Sequence, residues 1–426
     1  MEELWIQNAR IVDPANNRDQ VGDLLLREGR IAAVGRVEGE HPQAQMIDGT
    51  GLVAAPGLVD MHVHLRDPGF PHKEDILSGS RAAAAGGFTS IACMPNTSPP
   101  CDSPEGAAYV LEKAAQGDAR VYPVGCITRG MKGETLCDFA ALKAAGVVAV
   151  SDDGRPVEKA ALMQAGIAAA GREGLLTISH CEDLSIVAGG IMNEGEISRR
   201  LGVKGMDRSS EDSITAREII LAQAAGGAIH IAHVSTKGSV EIIRQAKAHG
   251  CRVTCETGPH YLHLTDRELL RRDANWRMNP PLRTEEDRLA VLEGLRDGTI
   301  DAIATDHAPH APQEKADFLK APNGIIGLET SLGLAYQALV EGGKLSLSRL
   351  IRLMSWNPAC LLGIPAGTLT LGAAADVVLF APEERWTVQA DKLRSRSRNT
   401  PFDGWELPCK VKATILGGRI TYRDLP

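Results

Sequence analysis

Two textures of hydrophobic patterning divide the chain. Through its middle, short apolar runs that end in polar residues recur in regular succession: LVDMHVHL, GGFTSIACMP, ARVYPVGCIT, GVVAVSDDG, LLTISHCED, AIHIAHVST, CRVTCETGPH and DAIATDHAPH. Between them lie stretches of helical period, among them PEGAAYVLEKAAQ, VEKAALMQAGIAAAGREG, SITAREIILAQAAGG and GSVEIIRQAKAHG. Each opens near a capping residue or proline and closes near glycine. Near-continuous apolar runs suit strands buried on both faces, and their alternation with helices implies right-handed βαβ units. Eight such units in about 250 residues predict an α/β fold, a (β/α)8 TIM barrel. A doubly wound open sheet is the alternative, but no G-x-G-x-x-G follows the first strand.

The ends of the chain read differently. LWIQNARIVDP, GDLLLREGRIAAVGRV and AQMIDGTGLVAAPG are short strand-like runs punctuated by glycine and proline. The same texture returns in GAAADVVLFAPEERWTV and KVKATILGGRITYRD. Neither end has enough apolar residues for a core of its own. A small composite β-sandwich domain built from both ends solves that problem and brings the termini together. The expected division is 1–57 for the N-terminal part of this domain, 58–359 for the barrel and 360–426 for its C-terminal part.

Polar residues able to do chemistry gather at one end of the barrel strands. His62 and His64 end the first, Asn96 follows the second, and Asp152-Asp153 end the fourth. His180 ends the fifth, His233 the sixth, His260 follows the seventh, and Asp306, His307 and His310 end the eighth. In a barrel all of these open on one face, where the βα loops build the active site. Seven of the chain's twelve histidines therefore fall on a single rim. His62 and His64 stand two apart on a strand, so both can reach one cation. Imidazoles and carboxylates in this number suit one or two zinc ions, which would activate water at neutral pH. Of Asp152 and Asp153 only one can face inward, because neighbouring side chains alternate.

Composition narrows the picture further. Of 426 residues, 43% are hydrophobic and 23% charged, an ordinary globular balance, and the formal charge of −8 argues against nucleic-acid binding. Nine scattered cysteines without a C-x-x-C pair suit a reducing compartment. No apolar run approaches the roughly 18 residues of a membrane span, and the N-terminus lacks the pattern of a secretory signal. A cytoplasmic protein without membrane or nucleic-acid partners is expected.

The segments GLVDMHVHLRDPG, MPNT, SDDG, HCED, HVST, ETGPHYL, NPPLR and ATDHAPH occur in the order seen in dihydroorotases. The whole chain resembles the amidohydrolase superfamily, and most closely the long bacterial dihydroorotases, in which an Asp replaces a carboxylated Lys between the metals. The late SRSRNTPFDGWEL fits that form as well. The resemblance implies His62, His64 and Asp306 as ligands of one zinc, His180 and His233 as ligands of a second, and Asp153 between them. It makes Asp306 the proton carrier, Arg66, Asn96 and His310 the clamp on a substrate carboxylate, and Asn279 a partner of the pyrimidine ring. Arg66 could otherwise pair at the surface with Asp67. His260 is left between a contact at the site and a bond to a ligand from behind. The implied reaction is reversible, zinc-dependent cyclisation of N-carbamoyl-L-aspartate to L-dihydroorotate. The resemblance further implies a lid at APQEKADFLKAPNG, a homodimer, and aspartate transcarbamoylase as a possible partner.

Two other readings compete. Hydantoinases and allantoinases resemble the same barrel but generally carry a carboxylated lysine where this chain has SDDG, and GVVAVSDDG contains no lysine. A catalytically silent subunit serving aspartate transcarbamoylase would typically have lost the metal-binding histidines, all four of which are present here.

Overall fold

The computed structural model describes residues 3–39 and 41–425. Its centre is a ring of eight parallel strands: Leu58–Val63, Phe88–Cys93, Arg120–Gly125, Ala149–Val150, Leu176–Ser179, Ile229–Ile231, Val253–Thr257 and Ala302–Ile303. They are hydrogen-bonded to one another in chain order. The ring closes between first and last strands, where Val63 bridges to His307 and the His64 N–H donates to the His307 carbonyl at 2.8 Å. The (β/α)8 barrel read from the patterning is the observed architecture.

Local chemistry starts the helices that return between strands. Asp75 and Ser78 form a reciprocal cap on Ile76–Ala85, and Ser103 precedes Pro104 at the start of Pro104–Ala114. Thr284 and Asp287 form another reciprocal cap on Glu285–Asp297, which ends at Gly298 with φ of 87°. Inside the ring, Met61, Met94, Val124 and Ile178 interleave with Ala149, Ala232 and Ala302. Alternating large and small side chains fill the barrel as a packed core. Ala359, Leu362 and Ile364 pack into the same cluster.

Both ends of the chain enter one eight-stranded sheet. Val377–Ala381 lies antiparallel between Val53–Pro56 and Lys410–Leu416, so N- and C-terminal segments share a ladder. The sheet wraps over its own apolar face: Ile31 near one edge and Ile415 near the other belong to one buried cluster with Leu4, Ile6 and Val377. Backbone bonds between Ile31 and residues Gly372 and Ala373, each 2.9 Å, draw the edge inward. This gives the sandwich-like core that neither end could make alone.

The opposite face of the sheet packs on the barrel. Val53, Val378, Phe380 and Val411 join the cluster that holds Ile76, Phe88 and Leu328. Gly57 sits at the passage from sheet to barrel, where a Cβ would collide with Thr89. Between the last sheet strands the chain makes an excursion that patterning does not foretell. Trp386–Thr387 pairs with Glu406–Leu407, and Val388 and Phe402 pack with Trp276 and Met278 from the barrel loops. Two-residue strands carry no readable period. Among the described residues, no helix is long and apolar enough to cross a membrane.

Because Phe380 is fully buried against barrel residues, Phe380→Ala should lower unfolding stability by about 3–5 kcal/mol. Denaturant unfolding followed by far-UV dichroism measures this. A loss below about 1 kcal/mol would mean that sheet and barrel do not unfold as one body.

Candidate active site

A buried carboxylate prepares the first strand for its task. Asp60 accepts the His62 N–H at 3.0 Å and, from the last strand end, the Thr305 N–H at 3.2 Å. This fixes His62 against the loop that carries Asp306. The register of strand one shifts between Asp60 and Val63. Met61 thereby packs into the barrel interior, while His62 and His64 both reach the rim.

Six of the expected residues converge. The ligand atoms of His62, His64 and Asp153 lie within 4.8 Å of one another, as do those of Asp153, His180 and His233. Asp153 belongs to both groups. Its Oδ1 is 3.4 Å from His62 Nε2, 3.6 Å from His180 Nδ1 and 3.8 Å from His233 Nε2, and its Oδ2 is 3.5 Å from His64 Nε2. Asp306 Oδ1 stands 3.0 Å from His64 Nε2 and 3.6 Å from His62 Nε2. Asp152 turns the other way and accepts the N–H groups of Ile127 and Thr128 at 2.8 and 3.1 Å. The alternation of neighbouring side chains thus separates the two aspartates.

Each of three imidazoles is held from behind. His62 Nδ1–H donates to Glu256 at 2.8 Å, His64 Nδ1–H to Asn96 Oδ1 at 2.9 Å, and His180 Nε2–H to Glu182 at 3.1 Å. These bonds leave the other ring nitrogen to face the cluster, where it offers a lone pair to a cation once its own proton is displaced. His62 Nε2 and Asp153 Oδ1 are buried and lack any hydrogen-bond partner. Orphaned ligand atoms of this kind, facing one another, fit a cation, since burial without a partner is otherwise costly.

Electrostatics follows from this crowding. Burial alone would raise the Asp306 carboxyl, but the His64 bond and the His62 and His64 charges hold it well below the usual carboxylate range. Asp153 is held down likewise, by His62, His180 and His233 against its own burial. His180 is driven up to about 10 because its bonds to Asp153 and Glu182 outweigh desolvation. Imidazole protons here occupy the place of a cation, and cations binding these atoms would displace them. The backbone is strained at the same spot. Arg66, His233 and Asp306 adopt φ of 60°, 34° and 48°, left-handed values that cost non-glycine residues on the order of 1–3 kcal/mol each.

Above the cluster opens a cavity of about 220 Å³, walled by Arg66, Asn96, Asn279 and His310 and by Asn323 and Gly324. Arg66 is half-buried beside it. Its Nε donates to the Pro309 carbonyl at 3.2 Å, and Nη2 lies 3.4 Å from His310 Nε2. Asp67 makes its ion pair with Lys113 at 2.9 Å, leaving Arg66 to the cavity. Burial and the neighbouring Arg66 charge push His310 down to about 2, so its imidazole is neutral. Asn279 donates to Glu182 at 3.0 Å. His260 is buried with Nε2 unpartnered, lies tilted against Tyr261 with ring centroids 4.1 Å apart, and is pushed down to about 4 by burial. His307 leaves the group read from the strand end: it turns to Glu74 at 3.3 Å and accepts the Gly327 N–H at 3.1 Å.

A family model described as Dihydro-orotase-like matches residues 51–239. A dihydroorotase of Geobacter metallireducens is 52% identical over 422 residues, covering 99% of each chain. One of Syntrophus aciditrophicus is 49% identical, covering 99% of this chain and 100% of its own. This chain belongs to the dihydroorotase family. An L-hydantoinase (dihydropyrimidinase) from Arthrobacter aurescens shares the fold with a TM-score of 0.89 at 26% identity, covering 100% of this chain and 97% of its own.

Several residues that frame this dihydroorotase-family site escaped the sequence reading. Glu256 bonds both His62 and, at 3.2 Å, His230. Glu182 joins His180 to Asn279. Asn399, far along the chain, accepts the His310 N–H at 3.1 Å and donates to the Ala308 and Gly324 carbonyls, both at 3.0 Å. Glu256 and Glu182 sit beside conspicuous strand ends, in CETG and HCED, so their positions offered a signal; Asn399 lies in the SRSRNTPFDGWEL segment, whose resemblance gave it no role at the rim. The segment from Ala311 to Gly324 is fastened by Lys315, whose buried ammonium donates to the Pro322 and Gly324 carbonyls at 2.9 and 3.0 Å.

Glu256→Gln should weaken metal binding about 10–100-fold by loosening the orientation of His62. Competition with a chromophoric chelator reads this directly. An unchanged affinity would remove Glu256 from that role.

Proposed function

We propose that the chain is a dihydroorotase that reversibly cyclises N-carbamoyl-L-aspartate to L-dihydroorotate with up to two zinc ions. The observation that carries this reading is the facing of Arg66, Asn96 and His310 across one small cavity from the histidine–aspartate cluster, in a chain half-identical to dihydroorotases along its length. His62, His64 and Asp306 would hold one zinc, His180 and His233 the second, with Asp153 shared. When bound, such ions lower the pKa of an attacking water and polarise the carbonyl.

The protein's own groups do the rest. Arg66, still cationic between Asp153 and Asp306, offers two parallel N–H groups to the substrate carboxylate. Asn96 and neutral His310 complete the clamp without adding charge, and Asn279 meets the ring. In hydrolysis water adds to the ring amide carbonyl and the C–N bond breaks. Asp306, ionised and at the edge of the cavity, takes a proton from the water and returns it to the departing nitrogen. In synthesis the ureido nitrogen of carbamoyl aspartate attacks the carboxylate carbon and gives its proton to Asp306, which passes it to the departing oxygen; with one further proton from solvent that oxygen leaves as water.

The related hydantoin-cleaving activity finds support in the shared fold alone. A silent subunit is opposed by the intact cluster. The resemblance also suggests a cytoplasmic homodimer, with aspartate transcarbamoylase as a possible partner. Light scattering of the chain, alone and mixed with the transcarbamoylase, tests that assembly.

Metal-replete protein should turn over L-dihydroorotate in preference to hydantoin and allantoin, and lose activity on chelation. No dihydroorotate turnover would refute the assignment. Arg66→Ala should raise KM about tenfold or more through loss of the charge-assisted pair. Asp306→Ala should lower kcat by about 100-fold to 10000-fold. Steady-state kinetics with metal content measured in parallel separates the two roles, and an unchanged KM would remove Arg66 from the clamp.

A further inference from the structure

A second cavity, about 550 Å³ and larger than the candidate active site, lies at the seam between barrel and terminal sheet. Its size is within the range of roughly 300–1000 Å³ typical of small-molecule sites. Its apolar lining comes from Ala85, Leu332, Leu393 and Val411. Trp386 and Tyr422 add aromatic surface. The indole N–H of Trp386 is buried without an acceptor, whereas Trp5 donates to Asp23 at 3.1 Å. A buried donor left unpaired is costly, and a ligand acceptor would relieve it.

The charged lining is predominantly cationic, in a chain whose formal charge is −8. Arg385 is held by Glu341 at 2.9 Å, and Lys410 by Asp424 at 2.9 Å. Lys392 and Arg394 line the same cavity with exposed side chains. Among the described residues neither makes a side-chain hydrogen bond or ion pair. The one carboxylate in the lining, Glu329, is already occupied by the main-chain N–H groups of Arg394 and Ser395 at 2.8–3.0 Å. Burial pushes its carboxyl up to about 7, which reduces its opposition to an anion.

We propose that this cavity is a second small-molecule site for a planar-ring organic phosphate of the nucleoside monophosphate class. Lys392 and Arg394 take the phosphate, and the ring lies against Trp386, Tyr422 and the apolar lining. Two cations without a hydrogen-bonded or ion-pair partner among the described residues match a phosphate, which carries close to two charges, better than a single carboxylate. The aromatic pair and the lone indole donor match a flat base with acceptors at its edge.

Calorimetric titration of the full-length protein with AMP, UMP, adenosine and inorganic phosphate tests the site. AMP or UMP should bind saturably, and both adenosine and inorganic phosphate about tenfold or more weaker. Binding should persist in Arg66→Ala, which excludes the active-site clamp. The charge reversals Lys392→Glu and Arg394→Glu together should raise Kd about tenfold or more while leaving dihydroorotate turnover unchanged. Trp386→Phe, which removes only the indole donor and part of the ring, should also weaken binding and decides the matter if the double variant is poorly folded. The proposal is overturned if neither nucleotide binds saturably, if Arg66→Ala abolishes binding, or if folded Lys392, Arg394 and Trp386 variants bind as the parent does. Equal binding of inorganic phosphate would reduce the cavity to a patch for simple anions and overturn it too. These readouts measure binding, so they stand whether or not the dihydroorotase reading holds.

Discussion

A buried carboxylate fastens the closure of the barrel, beside the backbone bond from His64 to the His307 carbonyl. Asp60 accepts one N–H from its own strand and one from the loop after the eighth, joining the first and last turns of the ring. Through that closure His64 comes within 3.0 Å of Asp306 across 242 residues of sequence. Without it, the two halves of the cluster would belong to opposite edges of an open sheet. Placing a carboxylate in such surroundings is unfavourable, and burial raises Asp60 to about 7. The two N–H bonds make the position tolerable and convert it into a fastening between strand ends.

The same tension between burial and charge organises the rest of the site. Aspartates that burial would neutralise stay ionised because imidazoles surround them, and the imidazoles are aligned by Glu256, Asn96 and Glu182 from behind. The left-handed backbone at Arg66, His233 and Asp306 fits this picture. Such conformations persist only where their surroundings over-determine them. Asp306 meets that condition, since Thr305 is bound to Asp60 and the His307 carbonyl to His64. Rigidity of this kind places reacting groups before a substrate arrives.

The terminal sheet contributes more than a covering. The chain leaves it at Ala381, crosses the barrel loops and returns at Lys410. On the way it delivers Asn399 to the rim, where one amide side chain holds His310 and the end of the 311–324 segment. Ser395 and Arg396 bind Glu74, which in turn engages His307. The wall of the active site is therefore partly built by residues from the last tenth of the chain, which links integrity of the sheet to geometry at the barrel mouth.

How much of this was legible beforehand depends on the range of the forces involved. Strand and helix periodicity is local, so the eight barrel strands could be read from their apolar runs, and the histidines at their ends from the rule that places chemistry on one face. The joining of both termini in one sheet followed from a simple deficit, too few apolar residues at either end for a separate core. Alternation along a strand says that Asp152 and Asp153 diverge. Only the packed barrel decides that Asp153 faces the histidines while Asp152 serves the backbone of Ile127 and Thr128. Glu256 and Asn399 acquire their tasks from partners 194 and 89 residues away. His307, which on sequence belonged with the rim histidines, is withdrawn by Glu74. The sequence by itself determined which elements form and which strand ends carry chemistry, because those depend on near neighbours. Which side chain meets which was decided by closure of the ring and folding of the termini over it, because burial makes distant groups share hydrogen bonds that no local pattern encodes.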